Sequence, residues 1–193
     1  TDLNTMEFYN GNEWRQFTYQ SDIQNSPSSR GRGFYVGGFE PGIGHNEITY
    51  FNTSSRGNAV MFGDLSFNQY STCGGASNQT RGLIQGTSEP ASNDQKTEYF
   101  TMASEGNGIT FGELTTGRGY TSGTASATRS LCAGGFTPSI TNLIDYVEIA
   151  TIGNHQDFGD LSTARSIPGA TNTPVRSVFI NGGAPSTPSN GAV

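Results

Sequence analysis

Apolar residues come in short bursts along this chain, divided by glycine, asparagine, serine and threonine, and the bursts recur on a fixed ruler. Phe62-Gly63-Asp64-Leu65 returns as Phe111-Gly112-Glu113-Leu114 and as Phe158-Gly159-Asp160-Leu161, at spacings of 49 and 47 residues. Tyr50, Tyr99 and Tyr146 each precede the phenylalanine by 12, and a Gly-Asn pair (Gly57-Asn58, Gly106-Asn107, Gly153-Asn154) follows each tyrosine by 7. Arg81, Arg129 and Arg176 follow the phenylalanines by 19, 18 and 18. Self-similarity at a period of about 48 residues marks a repeat architecture. No stretch carries the i, i+3, i+4, i+7 stripe of an amphipathic helix, so the predicted elements are strands.

Each unit resolves into four short strands. A small, polar strand (71–76, 121–125, 167–170) precedes an apolar strand introduced by the arginine and ended by glycine, as in Arg129…Leu131-Cys132-Ala133-Gly134-Gly135. In the last unit Asn181 reads as one extra residue before the glycines, which a β-bulge would accommodate. A variable connection then leads to the tyrosine strand, and the Gly-Asn turn leads to the phenylalanine strand.

The chain begins and ends on partial units. Residues 6–17 hold a hairpin signal around Asn10-Gly11. Trp14 precedes Phe62 by 48 and Arg32 follows Trp14 by 18, so Trp14 takes the phenylalanine position of an earlier unit. Residues 163–184 hold only the first two strands. The halves are complementary, giving units at about 18–66, 67–115, 116–162, and 163–184 joined with 6–17, with 185–193 as a tail or linker. Four antiparallel strands per repeat predict an all-β fold, a β-propeller of four blades closed by N- and C-terminal half-blades. Such closure removes open sheet edges, and a narrow four-blade axis calls for small innermost residues.

Composition fits this picture. Gly (27), Thr (23), Ser (21) and Asn (16) make up nearly half of the 193 residues, a mixture suited to tight turns. Net charge is −6, with one lysine, Lys96, and cations spread evenly, so the basic patch of a nucleic-acid groove is missing. No apolar run reaches the length of a membrane span. Cys73 and Cys132 stand at non-equivalent places in different units, which favours two buried thiols over a disulfide.

At the Gly-Gly, Tyr, Arg and aromatic positions the units resemble Kelch repeats, with a longer gap between tyrosine and aromatic. The string Ile144-Asp145-Tyr146-Val147-Glu148-Ile149-Ala150-Thr151-Ile152-Gly153-Asn154, leading to Asp157-Phe158-Gly159-Asp160-Leu161, is similar to repeats in virion structural and tail-associated proteins of tailed phages, especially those of marine cyanobacteria. The resemblance spans residues 6–183. It implies a non-enzymatic virion protein of the tail or fibre apparatus, or an otherwise extracellular one. Its partners would be other virion proteins, with no nucleic acid, no membrane insertion and no cofactor. A homo-oligomer stays open, and a lectin binding host-surface glycans around the ring is the alternative.

The recurring side chains carry two readings each. Asp64, Glu113 and Asp160 suit a cation site; the favoured reading is a turn acid that follows a left-handed glycine and accepts backbone N–H bonds. Arg32, Arg81, Arg129 and Arg176 suit an anion-binding ring, and the favoured role is bracing, through carbonyls or the turn acid. Trp14, Phe62, Phe111, Phe158, Tyr50, Tyr99 and Tyr146 read as packing residues. His45 and His155 fall in loops at opposite ends of a blade, which leaves hydrolase and metalloenzyme readings without a base. The connections at 39–47, 87–96 and 136–143 vary most, and a ligand or partner is expected on the face they share.

Overall fold

The computed structural model describes residues 7–9, 14–16, 31–40, 42–70, 73–89, 92–166 and 168–183. Every regular element in them is a strand. Sheet 1 runs β3 (Arg32–Glu40), β4 (Ile43–Asn52), β5 (Val60–Gln69). Sheet 2 runs β6 (Gly74–Ser77), β7 (Arg81–Glu89), β8 (Ser92–Thr101), β9 (Ile109–Glu113). Sheet 3 runs β10 (Ser122–Ala125), β11 (Arg129–Ala133), β14 (Leu143–Glu148), β15 (Gln156–Asp160), with a small ribbon of β12 (Phe136–Thr137) and β13 (Ser139–Ile140) inserted between β11 and β14. All these pairings are antiparallel, and all but β11–β14 join strands consecutive in sequence. The small strand expected at the front of the first unit lies outside the described residues, as does the tail at 185–193.

The terminal half-units are two hairpins, β1 (Glu7–Tyr9) with β2 (Trp14–Gln16), and β16 (Gly169–Thr173) with β17 (Arg176–Ile180). Each is a two-stranded sheet of its own among the described residues, so the joined fourth sheet expected from the sequence is not formed in this structure.

Sheets stack face to face. Between sheets 1 and 2 a core gathers Ile48, Phe62, Leu65, Phe67, Ile84, Phe100 and Met102; between sheets 2 and 3 a second gathers Leu83, Tyr99, Phe111, Ala125, Val147 and Ile149. Ring contacts run across the first junction, with Phe62 5.5 Å from Phe100 and Phe34 5.0 Å from Phe100. The small first strands lie beside one another, where Gly74 and Gly75 of β6 abut Gly123 of β10 closely enough that a β-carbon at Gly123 would strike main chain. Small residues thus let successive sheets converge along this edge.

Two expectations need correcting. Asn181 adds no residue: at φ +59° it stands where Gly37 (+63°), Gly86 (+77°) and Gly134 (+64°) stand, and asparagine tolerates that left-handed conformation better than other side chains. The variable connections in sheets 1 and 2 are also largely strand. β3–β4 and β7–β8 continue pairing past a register shift, to Glu40↔Ile43 and Glu89↔Ser92, so His45 lies within β4 rather than in a loop.

Candidate functional site

The Phe-Gly-Asp/Glu-Leu element is a strand segment, not a turn. Gly63 and Gly112 have no positive φ, and only Gly159 does (+134°). What the glycine supplies is room. A β-carbon on Gly63 would overlap the carbonyl of Gly106 in the next sheet, and one on Gly112 would overlap that of Gly153. The Gly-Asn loop of each following sheet thus lies across the outer strand of the one before. Gly106 N–H donates to Phe62 O at 3.0 Å and Gly108 N–H to Asp64 O at 2.8 Å; Gly153 N–H donates to Phe111 O at 3.0 Å and His155 N–H to Glu113 O at 2.8 Å. The loop asparagine completes the contact, its Oδ1 accepting from the backbone N–H of Asp64 (Asn107, 3.1 Å) and of Glu113 (Asn154, 3.1 Å). Backbone groups of the motif, not its carboxylates, make the junction.

A second acid does the work of a carboxylate. Glu98 and Asp145, each directly before the tyrosine, are buried and reach back to the residue after the motif. Glu98 accepts from Ser66 N–H at 3.1 Å and from its hydroxyl; Asp145 accepts from Thr115 N–H at 3.0 Å and its hydroxyl at 2.8 Å. At the second junction Arg118, fully buried, pairs with Asp145 at 2.9 Å and donates to the carbonyls of Gly134 and Cys132. Its counterpart at the first junction is Gln69, four residues after Leu65 as Arg118 is after Leu114, and it donates to Gly86 O.

The repeated arginines brace junctions as well. Arg32 lies over Tyr50 at 5.0 Å and donates to Met102 O of sheet 2 at 2.8 Å; Arg81 lies over Tyr99 at 4.6 Å and donates to Ile149 O of sheet 3 at 2.6 Å. Arg129 keeps the stacking on Tyr146 (4.6 Å) but pairs with Glu148 of its own sheet at 2.6 Å. Arg176 opens β17 and Trp14 opens β2. Phe62 and Phe111 are buried, whereas Phe158, the same position in sheet 3, is 52% exposed.

His155 is buried beneath the second junction, and burial drives its imidazole pKa from 6.5 down to about 4. The folded chain therefore holds it neutral, while the unfolded chain takes a proton below 6.5, so stability falls as pH drops from there toward 4. The full loss is on the order of 3 kcal/mol. Urea unfolding of the native chain and of His155→Asn at pH 7 and pH 4 checks this: the variant should lose less on acidification.

Cys132 is buried and Cys73 half-buried; both are free thiols, and desolvation raises them to about 11 and about 12. Neither will supply a thiolate nucleophile near neutral pH. Thiol titration at pH 8 should find both unreactive until denaturant is added, when two react per chain; fast labelling of either in the native state contradicts this burial.

The remaining chemistry is sparse. His45 lies 3.3 Å from Glu47 and 3.9 Å from Glu40 on an exposed edge, and no group of three or more His, Cys, Asp or Glu side chains is placed to hold a metal among the described residues. An open cleft of ≈550 Å³ is lined from sheets 1, 2 and 3 and from β16, by Arg32, Phe34, Asn78, Thr124 and Asn172 among others. Asn78 and Asn172 already donate to Ala127 O and Ala125 O. No protein-family model matches this chain, and no curated protein is significantly similar to it.

Proposed function

We propose that this chain is a non-enzymatic structural protein of a tailed-phage virion, a Kelch-like propeller module of the tail or fibre apparatus serving assembly or host-surface adhesion. One observation carries the reading. The same polar groups join one sheet to the next at both formed junctions: the repeated arginine guanidinium, the acid before the tyrosine of sheets 2 and 3, and the loop asparagine. Constant chemistry serves construction, and variation is left to the β3–β4, β7–β8 and β12–β13 ribbons, which suits a scaffold that meets partners through its edges. In this reading the three sheets and two half-units make a four-bladed ring. Its partners are other virion proteins and, on the adhesive variant, host-surface glycans.

The test is proteomic and electron-microscopic. Purified virions should contain the chain at a fixed copy number, with density for it on the tail or its fibres. Absence from particles, combined with multivalent binding on a glycan array, would instead establish the lectin.

A further inference from the structure

We infer that Asn181 is a site of spontaneous covalent modification: the main-chain nitrogen of Gly182 attacks its side chain, and the ring so formed opens to aspartate or isoaspartate at the end of the C-terminal hairpin.

The chain contains four Asn-Gly steps, of which Asn107-Gly108 and Asn181-Gly182 lie in the described residues and Asn10-Gly11 and Asn190-Gly191 lie outside them. The chemistry is the same at each. The glycine nitrogen gives its proton to solvent base and bonds to the asparagine Cγ; the Cγ–Nδ2 bond breaks, and the nitrogen leaves as ammonia after taking a proton from water. Water then adds to either carbonyl of the cyclic imide, leaving aspartate or isoaspartate. Glycine in second place leaves the line of attack open, because it carries no side chain. Two freedoms are required. The side chain must turn until Cγ faces the next nitrogen, and that nitrogen must release its hydrogen.

Asn107 has neither freedom. Its Oδ1 accepts from Asp64 N–H at 3.1 Å, and Gly108 N–H donates to Asp64 O at 2.8 Å, so carboxamide and nucleophile are both held across the junction of sheets 1 and 2. Asn181 has both. It is exposed, and neither its side chain nor the Gly182 N–H forms a hydrogen bond among the described residues. Gly135, which takes the place of Gly182 in sheet 3, donates instead to Arg165 O at 2.8 Å. Gly37, Gly86 and Gly134 stand where Asn181 stands and carry no carboxamide, so only the last unit brings this chemistry to the left-handed position.

The location gives the modification a consequence. β17 is paired as far as Ile180, opposite Gly169, and just beyond it Ser166 and Gly183 exchange backbone hydrogen bonds at 3.0 and 2.8 Å. Isoaspartate routes the main chain through the side-chain methylene and lengthens it by one atom between these two fixed points. The ladder holds five residue pairs and the bridge one, so the bridge gives way, and the hairpin loosens from the segment that leaves sheet 3.

Incubation of the full chain at pH 8, folded and in guanidinium chloride, tests the assignment by peptide mapping with mass and isoaspartate detection. Each folded rate is referred to the rate of the same step in denaturant. Asn181 should keep its denatured rate to within about threefold, whereas Asn107 should fall roughly tenfold or more below its own, since it reacts only when its junction opens. Equal protection at the two steps, whether large or small, or greater protection at Asn181, would overturn the assignment. Hydrogen exchange reads the consequence. The Ser166 and Gly183 amides should exchange faster in the isoaspartate form than in Asn181→Asp, which gains the same charge without the extra atom, while Asp64 and Glu113 stay protected in both. Equal exchange at Ser166 and Gly183 in the two forms would overturn the opening of the bridge.

Discussion

Gly112→Ala is expected to cost roughly 3–4 kcal/mol, because the new methyl must displace a backbone carbonyl and not a flexible side chain. The β-carbon would overlap Gly153 O, and pushing that loop away also loosens the bonds from Gly153 N–H to Phe111 O and from Glu113 N–H to Asn154 Oδ1. For a chain of this size that corresponds to a fall in melting temperature of roughly 10 °C. Gly63→Ala should behave likewise against Gly106 O. The control lies across the same contact. Gly153 and Gly106 have nothing within 4 Å of the place a β-carbon would take and no positive φ, so Gly153→Ala and Gly106→Ala should change stability by under about 0.5 kcal/mol. Thermal melts of the four variants check the asymmetry. Equal effects on both sides would mean that close approach is not what the motif glycine provides.

Arg118→Met should be comparably severe, at about 3–5 kcal/mol, since it leaves Asp145 charged and buried without its cation. Thr115 would still donate to the carboxylate, but two hydrogen bonds from neutral groups do not replace an ion pair at 2.9 Å in a dry junction. The Gly134 and Cys132 carbonyls also lose their donor. Adding Asp145→Asn removes the stranded charge while keeping an acceptor for Thr115, so the double variant should recover more than half of the loss. Chemical unfolding of both variants measures this, and no recovery would show that packing, rather than charge, dominates at Arg118.

Much of this construction can be read from the chain itself. The ruler of Tyr, Gly-Asn, Phe and Arg places four-stranded antiparallel units, and sheets 2 and 3 have that form. Arginine bracing through carbonyls is also as expected at Arg32 and Arg81. The role of the motif glycine is not legible, because a glycine between Phe and Asp reads as a turn residue unless the backbone crossing it is known. Asn107 and Gly63 are 44 residues apart, and only stacking brings them together. Arg118 has a faint signal, at a constant offset of four after the leucine and matched by Arg165, but Gln69 takes that place in the first unit, so no charge runs through all three positions to mark a buried pair. Glu98 and Asp145 carry a plainer signal, as the acid directly before the tyrosine. The ribbons at 39–47 and 87–96 read as loops because their polar residues lack alternation, yet main-chain pairing continues the ladders through them.

The claim on which the rest depends is that the recurring Phe-Gly-Asp/Glu-Leu element joins each sheet to the next through its backbone. Amide hydrogen exchange at Asp64 and Glu113 tests it most directly, since each N–H donates to an asparagine of the following sheet. Both amides should exchange slowly in the native chain. Asn107→Ala should accelerate Asp64 alone, and Asn154→Ala should accelerate Glu113 alone. Fast exchange at either amide in the native chain, or protection that survives loss of its asparagine, would contradict the account.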